Sequence, residues 1–159
     1  MINEDVFNEL KQKFKDHFGC EHTVAAYAPG RVEVLGNHTD YNEAFVLSAA
    51  INYGTFFIAC PSEDSTCRLV VTENTWANYV IGVFGSLKEH GDMPKGFNGM
   101  FLGNIPLGAG LSSSAALETT TGLALGELYG VKVDNLTLAK IGQKAEHEFA
   151  GVKCGLLDQ

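Results

Sequence analysis

Three segments of this 159-residue chain concentrate side chains that can do chemistry. The first is P-L-G-A-G-L-S-S-S-A-A-L-E over residues 106–118. Gly108 and Gly110 permit backbone conformations closed to other residues and let the chain approach a ligand closely. Ser112, Ser113 and Ser114 fall where a helix begins. A helix start offers orphan N–H donors and a partial positive charge of about half an electron. That combination suits phosphate, and a serine hydroxyl there can ligate Mg²⁺. A loop whose serines merely cap the helix explains the same string. Two other phosphate motifs are excluded: there is no G-x-x-x-x-G-K-[ST], and Ser113 replaces the third glycine of the dinucleotide fingerprint.

The second segment, A-P-G-R-V-E-V-L-G-N-H-T-D-Y-N over residues 28–42, packs Arg31, Asn37, His38, Asp40 and Tyr41 beside two glycines. A polyol offers only hydroxyls, so its recognition needs carboxylate acceptors and mixed donors such as imidazole and amide. A polar hairpin with Asp40, Tyr41 and Asn42 as turn residues fits equally well. The third segment, A-E-H-E-F-A-G-V-K-C-G-L-L-D-Q over residues 145–159, puts an acidic helix end before a glycine-bounded turn and a final aspartate. Glu146 and Glu148 are two apart and point to different sides of a helix, so one of them at most faces a given site. Taken alone, the segment reads as a solvated acidic face.

The elements that must position these segments follow from periodicity. Val6, Leu10, Phe14 and Phe18 recur every fourth residue, a helical stripe over 3–18 with Gly19 as C-cap. Residues 23–35 read as two extended pieces joined by a turn at Pro29-Gly30, and residues 45–59 as β-rich with a bend at Gly54. A strand is expected over 68–72, a helix over 75–90, and a strand over 97–102. A glycine- and serine-rich loop over 103–114, a helix after it through about Tyr129 and a helix over about 135–149 complete the pattern. Strands precede helices without a strict βαβ rhythm, so the class is α+β in one domain.

Composition narrows the partners. At 45% hydrophobic and 19% charged the chain is ordinary globular material. A formal net charge of −8 without basic runs excludes nucleic acid and an anionic membrane surface as partners. The N-terminus lacks an apolar signal core and no apolar run is long enough to span a bilayer, so a cytoplasmic protein is expected. Cys20, Cys60, Cys67 and Cys154 form no C-x-x-C pair, and the histidines form no H-E-x-x-H. Reduced, incidental thiols are expected rather than a disulfide or zinc framework.

All three segments resemble motifs of the galactokinases, a family within the GHMP kinase superfamily. P-x-G-x-G-L-S-S-S-A-A is similar to the ATP-binding motif of that superfamily. Residues 30–42 are similar to the signature G-R-V-N-L-I-G-E-H-T-D-Y-N, and the last segment to A-E-H-x-F-A-G-x-x-C-G-I-M-D-Q. The resemblance implies the GHMP kinase N-terminal fold (ribosomal protein S5 domain 2-like). It divides residues 1–159 into a galactose-binding signature (about 23–42), an ATP phosphate loop (103–114) and a catalytic aspartate segment (145–159).

The implied reaction moves the γ-phosphoryl of ATP to the C1 hydroxyl of galactose. Asp158 is implied as the catalytic carboxylate with Arg31 beside it, stabilising developing negative charge. Asn37, His38, Asp40, Gly155 and Asp158 are implied as sugar contacts. Gly108, Gly110, Leu111, Ser112, Ser113 and Ser114 would hold ATP, with Trp76 and Tyr79 near the adenine. Ser114 and Glu146 would ligate Mg²⁺, and Glu148 would be surface. Two positions depart from the signature: Glu33 replaces asparagine, and Asn37 replaces the glutamate that helps bind the C6 hydroxyl. N-acetylgalactosamine, galacturonate or arabinose are therefore alternative substrates. A catalytically silent sugar sensor and a dinucleotide-binding domain are the competing classes. Galactokinases are more than twice this long, so the C-terminal GHMP domain is expected to be absent and the chain alone inactive. No oligomeric state follows from the sequence.

Overall fold

The computed structural model describes residues 3–36, 45–70 and 75–159. The chain opens with helix α1 (Glu4–Phe18). Asn3 caps it by accepting from the N–H groups of Asp5 and Val6, and Gly19 closes it at φ 69° with its N–H on Lys15 O. Strands β1 (Val24–Leu35) and β2 (Leu47–Pro61) follow, then a short β3 (Arg68–Val70). Helix α2 (Thr75–Leu87), strand β4 (Phe97–Gly103), helix α3 (Ser113–Tyr129) and helix α4 (Asn135–Ala145) complete the element order. One π-helical turn, Glu146–Ala150, extends α4 and is closed by Gly151 at φ 73°.

The strands make one sheet in the order β1-β2-β4-β3. The β1/β2 and β2/β4 pairs are antiparallel, whereas β3 runs parallel to β4. Alternation along β2 gives each face its own partner. Phe56, Ile58 and Cys60 face α1, which docks through Leu10 and Phe14. Phe57 and Ala59 face the layer of α2, α3 and α4, where Val80, Val83, Leu117, Leu125 and Ile141 fill the main core. Each large apolar side chain buried this way contributes about 2 kcal/mol of transfer free energy.

Residues 23–35 do not form the two extended pieces expected; Val24–Leu35 is a single strand. Pro29-Gly30 is not a turn between two strands; β1 runs straight through it. The irregularity is carried by the partner: Pro29 pairs with Gly54 but Arg31 with Ala50, so extra residues of β2 bulge opposite Gly30. The expected bend at Gly54 therefore stands at the edge of this bulge. Helix α2 ends at Leu87 rather than at residue 90. The strand expected over 68–72 is described only as Arg68–Val70. The expected helix over 135–149 is α4 followed by the π turn.

Candidate active site

Helix α3 is the central element of the site. Most of its residues are small or apolar, and Ala115, Ala116, Leu117, Thr120, Thr121, Ala124 and Leu125 are all buried. It can therefore pass through the middle of the helical layer. The loop leading to it turns at Gly108 (φ 70°) and Gly110 (φ 67°), and Ser112 itself is left-handed at φ 55°, ψ 50°. That conformation is uncommon for a residue other than glycine and costs on the order of 1 kcal/mol. The Ser112 side chain caps nothing, and its buried Oγ has no hydrogen-bond partner among the described residues. The first turn carries no acidic residue. Among the described residues, the α3 N-terminus is thus left without a side-chain acceptor.

Close packing of the loop on β1 fixes its position. The Arg31 N–H donates to Leu111 O at 3.1 Å. A Cβ at Gly30 would fall 2.6 Å from the same carbonyl, so only glycine admits this approach. The Arg31 side chain spans the gap beyond. Its Nη1 donates to Gly110 O at 2.8 Å, its Nε donates to Asp158 Oδ1 at 3.0 Å, and Nη2 pairs with the same carboxylate oxygen. Arginine and aspartate keep 17% and 30% of their side-chain exposure, enough to be reached from solvent. A cleft of about 230 Å³ opens here, lined by Gly30, Arg31, Ala116, Thr119, Asp158 and Gln159.

Below the loop, the Ser114 hydroxyl donates to Glu146 Oε1 at 2.5 Å. Glu146 is buried at the start of the π turn, whereas Glu148 is exposed, as their spacing requires. Gln159 Nε2 donates to Glu118 Oε2 at 3.1 Å and approaches Glu146 Oε2 at 3.4 Å. Burial pushes the Glu118 carboxyl up to about 9, with the charges of Glu146 and Asp158 adding to it and the Gln159 bond opposing. Glu118 is therefore neutral at pH 7. Its Oε1 is buried without a hydrogen-bond partner among the described residues.

On the other side of the α3 N-terminus lies a second cleft of about 170 Å³, walled by Trp76, Phe101, Leu107, Ser113 and Leu117. Trp76 lines it; Tyr79 lies beside Trp76, its ring tilted by 38° at 5.6 Å between centroids, but is not part of the wall. Burial, then the Glu146 charge, raises the Tyr79 hydroxyl above its ordinary range. Three larger clefts hold none of the expected site residues: those of about 440 and about 1160 Å³ lie beside α1, and one of about 300 Å³ lies at the end of α3. Size does not locate the chemistry here; the convergence of Arg31, Asp158, Ser114 and Glu146 does.

Of the expected residues, the structure thus brings together Arg31, Gly108, Gly110, Leu111, Ser112, Ser113, Ser114, Glu146 and Asp158. Gly155 lies in the terminal segment leading to Asp158, half-buried. That segment is held in part by Gln143 Nε2, which donates to Cys154 O at 3.2 Å. Asn37, His38 and Asp40 lie outside the described residues. Glu33 is in β1 with Oε1 buried and without a hydrogen-bond partner among the described residues. Glu118 and Gln159 were not singled out in the sequence. The signal for Glu118 was its spacing: four residues after Ser114, it occupies the same face of α3.

A family model described as GHMP kinases N terminal domain matches residues 78–159, just over half of the chain. The chain belongs to the GHMP kinases. A second model, the galactokinase galactose-binding signature, matches residues 12–61. Among solved structures, this GHMP kinase domain is similar to Lactococcus lactis galactokinase complexed with galactose. The identity there is 35%, the TM-score 0.86, and the match covers 96% of this chain and 45% of that one. Methanococcus jannaschii mevalonate kinase (19% identity, TM-score 0.72) matches over 87% of this chain and 50% of its own. Cytophaga hutchinsonii homoserine kinase (24% identity, TM-score 0.66) matches over 82% and 42%. The last two support the fold alone. The chain spans about half the length of these relatives or less. No helix among the described residues is long and apolar enough to cross a membrane.

Proposed function

We propose that this domain supplies the phosphate loop and the reacting carboxylate of an ATP-dependent galactose kinase that forms galactose 1-phosphate. One observation carries the reading: the uncapped N-terminus of α3 sits between an aromatic-walled cleft and the cleft of Arg31 and Asp158. The first suits an adenine, the terminus suits phosphates, and the second suits a sugar hydroxyl. The galactose-binding signature over residues 12–61 and the likeness to a galactokinase with galactose bound support the choice of sugar.

Phosphoryl transfer asks the protein mainly to position groups and to balance charge. Asp158 accepts the proton of the C1 hydroxyl, and Arg31, bonded to that carboxylate and to Gly110 O, fixes its orientation toward the loop. The amides of the first α3 turn and the Ser112 and Ser113 hydroxyls bind the phosphates. Trp76 covers the base. Ser114 and Glu146 fit Mg²⁺: a hydroxyl and a carboxylate oxygen 2.5 Å apart are the hard oxygen donors this ion takes. When bound, Mg²⁺ supplies positive charge at the phosphates.

Asn37 and Glu33 favour a second reading, a sister kinase for a C6-altered or C2-altered sugar. At residue 37 an amide that can both donate and accept stands where the galactokinase signature has a carboxylate. The test uses galactose-dependent ADP release from MgATP. It is run on this chain and on a chimera completed with the part of Lactococcus lactis galactokinase beyond the matched segment. Galactose, N-acetylgalactosamine, galacturonate and arabinose are the acceptors. Galactose should be preferred in the chimera, with little turnover by the 159-residue chain alone. A chimera that folds and binds MgATP but phosphorylates none of the four would contradict the assignment.

A further inference from the structure

Two cysteines that take no part in the proposed chemistry meet on the opposite face of the sheet. Cys20 follows the left-handed cap Gly19 at the end of α1. Cys60 stands in β2, in the row with Phe56 and Ile58 on which α1 docks. Their sulfurs lie 3.3 Å apart, although the residues are 40 apart in sequence. Packing holds the pair from both sides. Leu10 and Phe14 anchor the helix before Cys20, and Thr23 after it donates its N–H to Ala59 O at 2.8 Å. Asn98 Nδ2 approaches Cys60 Sγ at 3.8 Å.

Access and reactivity differ between the two. The open cleft of about 1160 Å³ is lined by both residues. Cys60 keeps only 5% exposure, and burial pushes its thiol up to about 11, whereas Cys20 is half-buried. The accessible sulfur is therefore the nucleophile and the buried one its resolving partner. A disulfide needs the sulfurs at about 2.05 Å, a small closure from their present contact.

We infer that Cys20 and Cys60 form a thiol–disulfide exchange site for small disulfides of the glutathione type, and that their oxidation staples α1 to β2. The Cys20 thiolate attacks one sulfur of oxidised glutathione; an S–S bond forms to Cys20, and the first glutathione leaves as a thiolate that takes up the Cys20 proton. Cys60, losing its proton to solvent, then attacks Cys20 Sγ. The intramolecular disulfide forms and the second glutathione leaves as a thiolate, which is reprotonated. Two protein thiols are oxidised and one glutathione disulfide is reduced to two glutathiones.

The test treats the fully reduced chain carrying Cys67→Ser, which removes the exposed thiol, with oxidised glutathione. Remaining thiols are then alkylated and the peptides mapped by mass spectrometry. The expected product joins the Cys20 peptide to the Cys60 peptide, two hydrogens lighter than the sum. Its Tm should stand ~5–10 °C above that of the reduced chain and return to it with dithiothreitol. Adding Cys60→Ser should leave a stable glutathione adduct on Cys20, whereas adding Cys20→Ser should leave Cys60 a thiol. Alkylation of both residues after treatment, a persistent adduct on Cys20 with Cys60 present, or a link from either to Cys154 would overturn the site. A linked chain with no rise in Tm would overturn the staple.

Discussion

Helices α1 and α3 both begin after a small polar residue, and they use it in opposite ways. At α1, Asn3 turns its side chain back onto the N–H groups of Asp5 and Val6, and the first turn adds Glu4 and Asp5. That terminus is satisfied by its own sequence, in charge and in hydrogen bonds. At α3, Ser112 is left-handed, caps nothing, and is followed by Ser113, Ser114 and Ala115 without an acid. The first acid along α3, Glu118, lies one turn further on, buried and neutral. The difference teaches that a serine before a helix does not by itself mean a cap. A left-handed Ser112, held by the approach of Leu111 to Gly30, keeps the α3 terminus open to an outside anion.

The largest expected effect separates binding at that terminus from chemistry beside it. Asp158→Ala in the chimera should lower galactose phosphorylation by at least ~10²-fold while leaving MgATP affinity within a few-fold. Near-normal turnover would remove Asp158 from the reaction. Next, Ser113→Asp gives α3 the first-turn acid that α1 already has. MgATP affinity should fall at least ~10-fold through charge repulsion, while urea unfolding shows stability unchanged or raised by about 0.5 kcal/mol. A variant that loses stability in step with affinity would mean the terminus is structural, like that of α1.

Glu118 makes the comparison sensitive to pH. Its folded-state value of about 9 lies above the ordinary carboxylate value, so the folded chain holds a proton that the unfolded chain has released between roughly pH 4.5 and 9. Stability should therefore decline as pH rises through that window, by at most about 1.4 kcal/mol per pH unit from this group. Glu118→Gln should flatten the decline; an unchanged slope would show that Glu118 is ionised when folded. The smallest effect is at the closed terminus. Asn3→Ala should cost about 1 kcal/mol in chemical denaturation and leave MgATP binding untouched.

Much of this was legible in the sequence because local rules govern it. The period-four stripe and Gly19 delimit α1, and the glycine-serine run locates the start of α3. The two-residue spacing of Glu146 and Glu148 separates the buried acid from the exposed one. What escaped depends on distant partners. Pro29-Gly30 reads as a turn until β2 is seen to bulge opposite it. The π turn at residues 146–150 is no stronger in the sequence than an ordinary helix end. Gln159 becomes visible only when the chain end folds back onto α3 and α4, where it joins Glu118 and Glu146.

The central claim is that the open terminus of α3 is the phosphate site, and backbone amide NMR on the 159-residue chain tests it most directly. Addition of MgATP should shift the amides of residues 108–116 and the Trp76 indole, while the amides of Asp5 and Val6 at the capped terminus stay in place. Saturating MgATP that leaves residues 108–116 unmoved, or moves both termini alike, would contradict the account.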